Sequence, residues 1–297
     1  MKKHLSLFLI ALSASLWGIS GLFVRKLNEL GFSTYEIVCL RLFFTALIFT
    51  AFYLIVDKSA FKIKLKDLWC FLGTGVLGIL GTSLCYFETI SRASLSTACI
   101  LMYTAPIFVI FLSAILFKEK ITLVKITGLV LTIIGCVFCC YEKGAFNLSL
   151  PAFLIGIGSG VAYGLYSIFS RCALNKGYES KTILLYTFIF GFLGSLIFVP
   201  YKNLAINVQS ANFLLPSILL AVLATLLPYL LYTLGLKNME NGKASIIASL
   251  EIVVSILAGI IAYGEIPTAV KIVGILLIFI AIILLNANLK IFNKKSK

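Results

Sequence analysis

The sequence predicts an all-α integral membrane protein of ten transmembrane helices, arranged as two inverted five-helix repeats. Three observations carry that expectation. Of the 297 residues, 61% are hydrophobic and 12% charged, with a mean hydropathy of +1.10; a soluble domain has about 45–50% and about 25%. Folded in water, such a chain would expose large apolar patches and aggregate, and it carries too much apolar surface to stay disordered. The apolar residues fall into runs long enough to cross a bilayer. Finally, the chain matches itself at an offset of 146 residues.

A helical span needs about 17–25 apolar residues. Ten runs qualify: 5–25, 34–55, 68–90, 94–117, 122–141, 151–173, 182–200, 213–236, 243–263 and 269–289. The first follows Met1-Lys2-Lys3 and has the outline of a secretory signal. Its apolar stretch runs on past Trp17, however, and has an intact counterpart in the second half, so it reads as the first helix. The loops are short and none holds a catalytic domain.

Charge sets the orientation. With both termini on one side, that side collects 18 Lys and Arg residues. The other side has six: Arg25, Lys26, Arg92, Lys143, Lys202 and Lys271, while Arg41 lies inside a span. The positive-inside rule then places both ends in the cytoplasm of a bacterial inner membrane, with multiple passes between them. The same bias accounts for the net charge of +14, which in a soluble chain would suggest a nucleic-acid partner; none is expected here. Cys39, Cys70, Cys85, Cys99 and Cys136 sit within apolar runs. Cys136, Cys139 and Cys140 are the one cluster and His4 is the sole histidine, so no metal site or cofactor is expected.

The repeat is visible at both ends of each half. Trp17 to Arg25 falls on Tyr163 to Arg171, and Gly31 on Gly177; Glu119 meets Glu265, Thr122 meets Thr268, Lys125 meets Lys271, and Gly128 meets Gly274. The halves are therefore 1–146 and 147–297. Five spans per half is an odd number, which sends the second half into the membrane from the opposite side. Inverted repeats of this kind recur in secondary transporters, with the substrate site near the midplane. A duplicated membrane scaffold that moves nothing is the contrasting reading.

Glu251 is the sharpest candidate. It falls about eight residues into the ninth span, where a charge costs about 2.5–3.5 kcal/mol. Helical spacing puts it on one face with Ala244, Ala248, Ser255 and Ala258, a small-residue stripe suited to a neighbour or a cavity. It serves substrate or proton handling, or else an internal ion pair. Arg41, about seven residues inside the outer end of the second span, is expected to pair with Glu36, Glu88 or Glu251, or to contact an anionic group. Glu88, near the outer end of the third span, is read as lining a vestibule.

Aromatic residues complete the candidate site. Trp17 and Tyr163 occupy equivalent positions in the two halves, and Tyr166 lies one turn beyond. Thr225, Pro228, Tyr229 and Tyr232 share one face of the eighth span. Tyrosines in mid-membrane must find partners for their hydroxyls, and several rings beside a carboxylate describe a cage for an organic cation. Filling gaps between helices is the plainer role. Pro106 and Pro228 fall mid-span, free a backbone carbonyl each, and are candidate hinges. Gly156, Gly160 and Gly164, like Gly73, Gly75, Gly78 and Gly81, permit close helix contact.

These residues also resemble a known family. A Trp-Gly near the start, Arg41 in the second span, ten spans in two halves, and an acidic turn after the fourth helix of each half (Phe117-Lys118-Glu119, Tyr263-Gly264-Glu265) make the chain similar to EamA-type permeases of the drug/metabolite transporter superfamily. The family pattern often has Glu-Pro within the fourth helix of a half. Here the first half keeps the proline (Ala105-Pro106) and the second the acid (Glu251-Ile252), and Lys118 stands where glycine is usual. The resemblance implies a permease for amino acids, amines, drugs or other metabolites.

No nucleophile–His–acid set, phosphate-cradling glycine loop or nucleotide motif is present, so a carrier and not an enzyme is expected. The leading expectation is a secondary transporter working by alternating access. Trp17, Glu88, Tyr163, Tyr166, Tyr229, Tyr232 and Glu251 would bind a choline-like quaternary ammonium or an amine, and the Glu251 carboxyl would hold either a proton or the cargo. If Arg41 also faces the cavity, a zwitterion would bridge Arg41 and Glu251, giving an amino-acid or drug exporter. A non-transporting scaffold is the third alternative. A small-molecule substrate and the lipid bilayer are the expected partners, with protons as a candidate coupling ion; a homodimer is an assembly left open.

Overall fold

A computed structural model describes residues 2–93, 95–141, 149–264 and 266–294. Among them every regular element is helical. Helix α1 (Lys2–Gly18) and α2 (Ser20–Glu29) form the first span, broken at Ile19. Helix α3 (Thr34–Val56) is the second. The third runs over Leu65–Arg92, as α4 (Leu68–Leu72), a stretch of wide i→i+5 turns over Gly73–Leu80, and α5 (Gly81–Arg92). The fourth comprises α6 (Leu95–Met102) and α7 (Ala105–Phe117), and the fifth is α8 (Leu123–Cys140).

The second half follows the same order. Helices α9 (Leu150–Asn175) and α10 (Ser180–Ser195) are the sixth and seventh spans. A short helix, α11 (Tyr201–Asn207), follows. The eighth span is α12 (Leu214–Ala221), wide turns over Val222–Leu226, and α13 (Leu227–Leu236). The ninth is α14 (Asn241–Ala248) and α15 (Leu250–Tyr263), the tenth α16 (Ala269–Lys294). Eight of these spans are long and apolar enough to cross a membrane; Ser180–Ser195 and Ala269–Leu285 are shorter apolar helices.

Several expected limits move. The first span continues to Glu29 instead of ending at 25. The seventh stops at Ser195, short of 200, because Phe198-Val199-Pro200 cannot extend the helix: proline disfavours the α conformation of the residue before it. The seam expected at 146/147 lies in 142–148, outside the described residues, as do Lys143, Glu265, Lys295 and Lys297. The side chains of Lys2, Lys3, Lys290 and Lys294 are likewise outside.

The 146-residue offset reaches into backbone conformation. Gly31 and Gly177 end their helices at φ +89° and +87°. Lys118 and Gly264, at φ 55° and 67°, end α7 and α15 with left-handed caps. Glycine adopts that conformation freely, whereas a lysine is strained there. Thr122 and Thr268 each accept a hydrogen bond from the backbone N–H three residues on, at 3.3 Å, the usual way a threonine caps a helix start. The breaks at Tyr103-Thr104 and at Ser249 also coincide under this shift, and the two stretches of wide turns overlap and share their end.

The spans pack by small residues. α8 lies against α16, where a Cβ on Gly135 would come within 2.9 Å of the Gly274 carbonyl. α9 lies against the broken fourth span, with room for a Cβ at Gly160 taken by Thr104 Oγ1 at 2.6 Å. α1 packs on α13 and α15 and closes the centre; Ser13 donates to the Pro228 carbonyl at 2.8 Å.

Ion pairs join the loops at the end carrying the termini. Lys181 holds Asp57 at 2.6 Å. Hydrogen bonds from Lys181, and then from Ser59, keep the Asp57 carboxyl below the usual carboxylate range. A depressed acid stabilises the fold above its unfolded pKa, about 3.9, and that contribution is lost as pH falls toward the folded value. Asp57→Asn is therefore expected to lower Tm at pH 6 and to leave a shallower fall in Tm between pH 5 and 3, read by thermal unfolding in detergent.

Candidate substrate site

Five of the seven expected binding residues meet in one place. Trp17, at the end of α1, sits edge-on to Tyr229 (ring centroids 4.9 Å, 73°) and to Tyr163 (6.4 Å, 62°), and tilted against Tyr232 at 5.5 Å. Tyr166 stands edge-on to Tyr229 at 4.7 Å. Edge-to-face pairs at these separations are the favoured ones. The rings come from three elements, α1, α9 and α13. They line a pocket of about 380 Å³ of interatomic space, open solvent included, which Thr82, Ser167 and Ser245 also line. Between the rings there is room for roughly one or two water-sized spheres.

Local sequence explains the convergence. A Cβ at Gly78 would stand 3.0 Å from the Tyr166 backbone, so the wide-turned third span approaches α9 only because that residue is glycine. Among the described residues every phenol in the cage except that of Tyr229 has a hydrogen bond in hand: Tyr166 shares one with Thr233 at 2.7 Å, Tyr232 with Ser167 at 2.8 Å, and Tyr163 donates to Glu251 Oε2 at 3.1 Å. Glu251 itself is the second residue of α15, immediately after the break, and it joins the cavity through Tyr163. Gly18 brings α1 against its backbone, a Cβ there coming within 2.7 Å of the Glu251 carbonyl. Tyr103, at the equivalent break in the fourth span, faces the same carboxylate.

Other expectations are corrected. Glu88 lies away from the cavity lining and pairs with Arg92 one turn on, at 2.7 Å, because the two share a half-exposed helix face. Arg41 forms no ion pair among the described residues. Glu36 is taken by the capping box of Ser33, its Oε2 accepting the Ser33 N–H at 2.6 Å, and Arg41 donates instead from Nη2 to Ser83 at 3.1 Å. Its Nε is buried without a partner among the described residues. Ala244 and Ala248 are buried as the Glu251 stripe implied, but Ser255 is exposed, since the break at Ser249 re-aims the helix. Pro106 and Pro228 are not mid-helix kinks. Each sits in the first turn of the segment that follows a break or a wide turn, where its missing N–H is harmless.

One cluster was read only as landmarks of the repeat, an acidic turn and loop charge. Lys125, 1% exposed, pairs with Glu119 at 3.3 Å and Glu240 at 3.2 Å. Glu119 in turn accepts the Asn241 N–H at 2.8 Å and the Gly242 N–H at 3.4 Å, where the helix dipole favours an anion. Arg171 donates to Asn241 Oδ1 at 2.9 Å and to the Met239 carbonyl.

Comparison with known proteins agrees with the fold. The sequence model of the EamA-like transporter family matches twice, over 4–141 and 150–287. An uncharacterized transporter of Archaeoglobus fulgidus is 28% identical over 269 residues, spanning 89% of this chain and 90% of its own. The inner membrane transporter YicL of Salmonella typhimurium is 26% identical over 284 residues, 93% of each chain. A solved crystal structure superposes with a TM-score of 0.77 at 18% identity, over 94% of this chain and 96% of that one.

Proposed function

Because the chain belongs to the EamA-like transporter family, we propose that it is a secondary active transporter that carries a small organic cation, a choline-like quaternary ammonium or an amine, by alternating access. The observation that carries this reading is the ring cage of Trp17, Tyr163, Tyr166, Tyr229 and Tyr232 joined by a hydrogen bond to Glu251. Ring faces attract cations, and more strongly once water is excluded. A carboxyl within a span is expensive unless it has a task. Glu251 takes a proton when the cage is empty and releases it when a cation enters, which couples cargo to protons. The two halves rock about the cage, their seam near residue 146, and the basic loops keep both termini in the cytoplasm of a bacterial inner membrane.

The test is uptake of labelled choline or tetraethylammonium into proteoliposomes under an imposed pH gradient. Glu251→Gln keeps the shape and a hydrogen-bond acceptor but cannot exchange a proton. It is expected to lose at least tenfold in uptake; unchanged uptake would remove Glu251 from the mechanism.

One observation favours a second reading. The unpartnered Nε of Arg41 suits the carboxylate of a zwitterion whose ammonium sits among the rings. Competition of labelled amines by a panel of amino acids separates the two, because only zwitterions would then depend on Arg41.

A further inference from the structure

Three sets of ion pairs tie the two halves together, and all lie at the end of the bundle that carries the termini. They are Asp57 with Lys181 at 2.6 Å, Asp67 with Lys176 at 2.6 Å, and Lys125 with Glu240 at 3.2 Å. At the opposite end, every ion pair among the described residues stays within one helix of the first half: Arg25 and Lys26 with Glu29, and Arg92 with Glu88. There the halves are joined by lighter contacts. Asn207 donates to the Gly31 carbonyl at 3.1 Å and to Glu36 at 3.3 Å, and the Arg25 guanidinium lies 3.8 Å over the Tyr263 ring.

The imbalance is written in the sequence. Shifted by 146, Asp57, Asp67 and Lys176 fall on Asn203, Phe213 and Leu30, while Lys181, Glu240 and Asn241 fall on Tyr35, Ser94 and Leu95. Glu119 and Lys125 do recur, as Glu265 and Lys271, so what the shift loses is the partners across the halves: Glu240, Asn241 and the two Asp–Lys pairs. The innermost of the three sets also reaches the cage. Asn241, fully buried, donates from Nδ2 to the Ser167 carbonyl at 3.0 Å, and the Ser167 hydroxyl shares a hydrogen bond with Tyr232. Ser167 and Tyr232 both line the cavity. A path of polar contacts therefore runs from Glu119 through Asn241 and Ser167 to the rings.

We propose that the Glu119–Lys125–Glu240 cluster is a gate on the side of the termini, latched by Glu119 on the first turn of α14, and that Asn241 is a positioning residue coupling the latch to the cage. This rests on the carrier reading, though not on the identity of the cargo. Opening at this end must part Lys125 from Glu240 and Glu119 from the backbone N–H groups of Asn241 and Gly242, whereas opening at the other breaks lighter contacts among the described residues. The resting protein is closed on the side of its termini.

Ser245 lines the cavity one turn inside α14 from the latch and offers a probe. Ser245→Cys is labelled with a charged, membrane-impermeant methanethiosulfonate added on the termini side, and the unsubstituted chain reports background from native cysteines. Labelling is expected to be slow, and at least tenfold faster when Glu119→Gln is added. Glu119→Asp, which keeps the charge on a shorter arm, should give an intermediate rate and serves if the glutamine variant is unstable. In parallel, Trp69→Phe leaves Trp17 as the sole tryptophan. Its emission should shift to longer wavelength with Glu119→Gln as the rings take up water, and this response should vanish in Asn241→Ala while the faster labelling persists. Fast labelling of Ser245→Cys alone, or rates unmoved by either Glu119 variant in folded protein, overturns the gate. A Trp17 response that survives Asn241→Ala overturns the coupling. Loss of the Glu251→Gln effect on cation uptake would remove the cargo assignment and leave the gate standing.

Discussion

Lys125→Met is expected to destabilise the protein by about 3 kcal/mol, among the largest effects of any single substitution. The ammonium is buried between Glu119 and Glu240. Methionine matches its stem but leaves the carboxylates without their cation. The burden falls unequally. Glu240 keeps Lys243 at 3.0 Å on the same oxygen, so that lysine compensates it. Glu119, only 10% exposed, retains two backbone N–H donors but no counter-charge. That partial support sets the expectation at the low end of the range for breaking a buried pair. The check is thermal or urea unfolding in detergent, with the Lys125→Met, Glu119→Gln double variant alongside. The double variant should recover part of the loss, because no bare charge remains at Glu119. Additive losses would contradict the pairing.

Trp17→Ala is the second. Removing a buried indole ordinarily costs about 3–5 kcal/mol, and here it also removes edge-on contacts worth about 0.5–1.5 kcal/mol each. Because the indole borders a cavity, the lower bound of about 3 kcal/mol applies. Transport of an organic cation should fall below detection, since one wall of the cage is gone. Trp17→Phe keeps a ring face and should retain measurable uptake with a smaller fall in Tm. If alanine transports as well as phenylalanine, the rings are packing alone.

The architecture was legible where the physics is local and repetitive. Apolar runs are demanded by the hydrocarbon, and an offset that matches Trp17 with Tyr163 and Thr122 with Thr268 survives because both halves use the same turns and caps. The cage was legible for a related reason: Trp17, Tyr163, Tyr229 and Tyr232 are amphipathic rings placed where lipid offers them no partner. What could not be read were the departures from regular helix. The breaks at Tyr103-Thr104 and Ser249 carry no glycine, and the proline beside the first follows it. The wide turns at Gly73–Leu80 and Val222–Leu226 look like ordinary apolar helix. The charged cluster was hidden by its setting. Lys125 and Glu240 stand in loop-flanking positions where a charge ordinarily reports sidedness, and only the meeting of two distant loops turns them inward. Asn241, six residues short of the apolar heart of the ninth span, gave no signal at all.

The wide turns in the third and eighth spans end in register under the 146-residue shift, and the left-handed residues at Lys118 and Gly264 coincide under it. A backbone irregularity present in both copies at one offset predates the copying event, so the ancestral single unit already carried that loosened turn and that sharp helix ending. Of the latch, Glu119 and Lys125 recur as Glu265 and Lys271, and only Glu240 and Asn241 lack a counterpart.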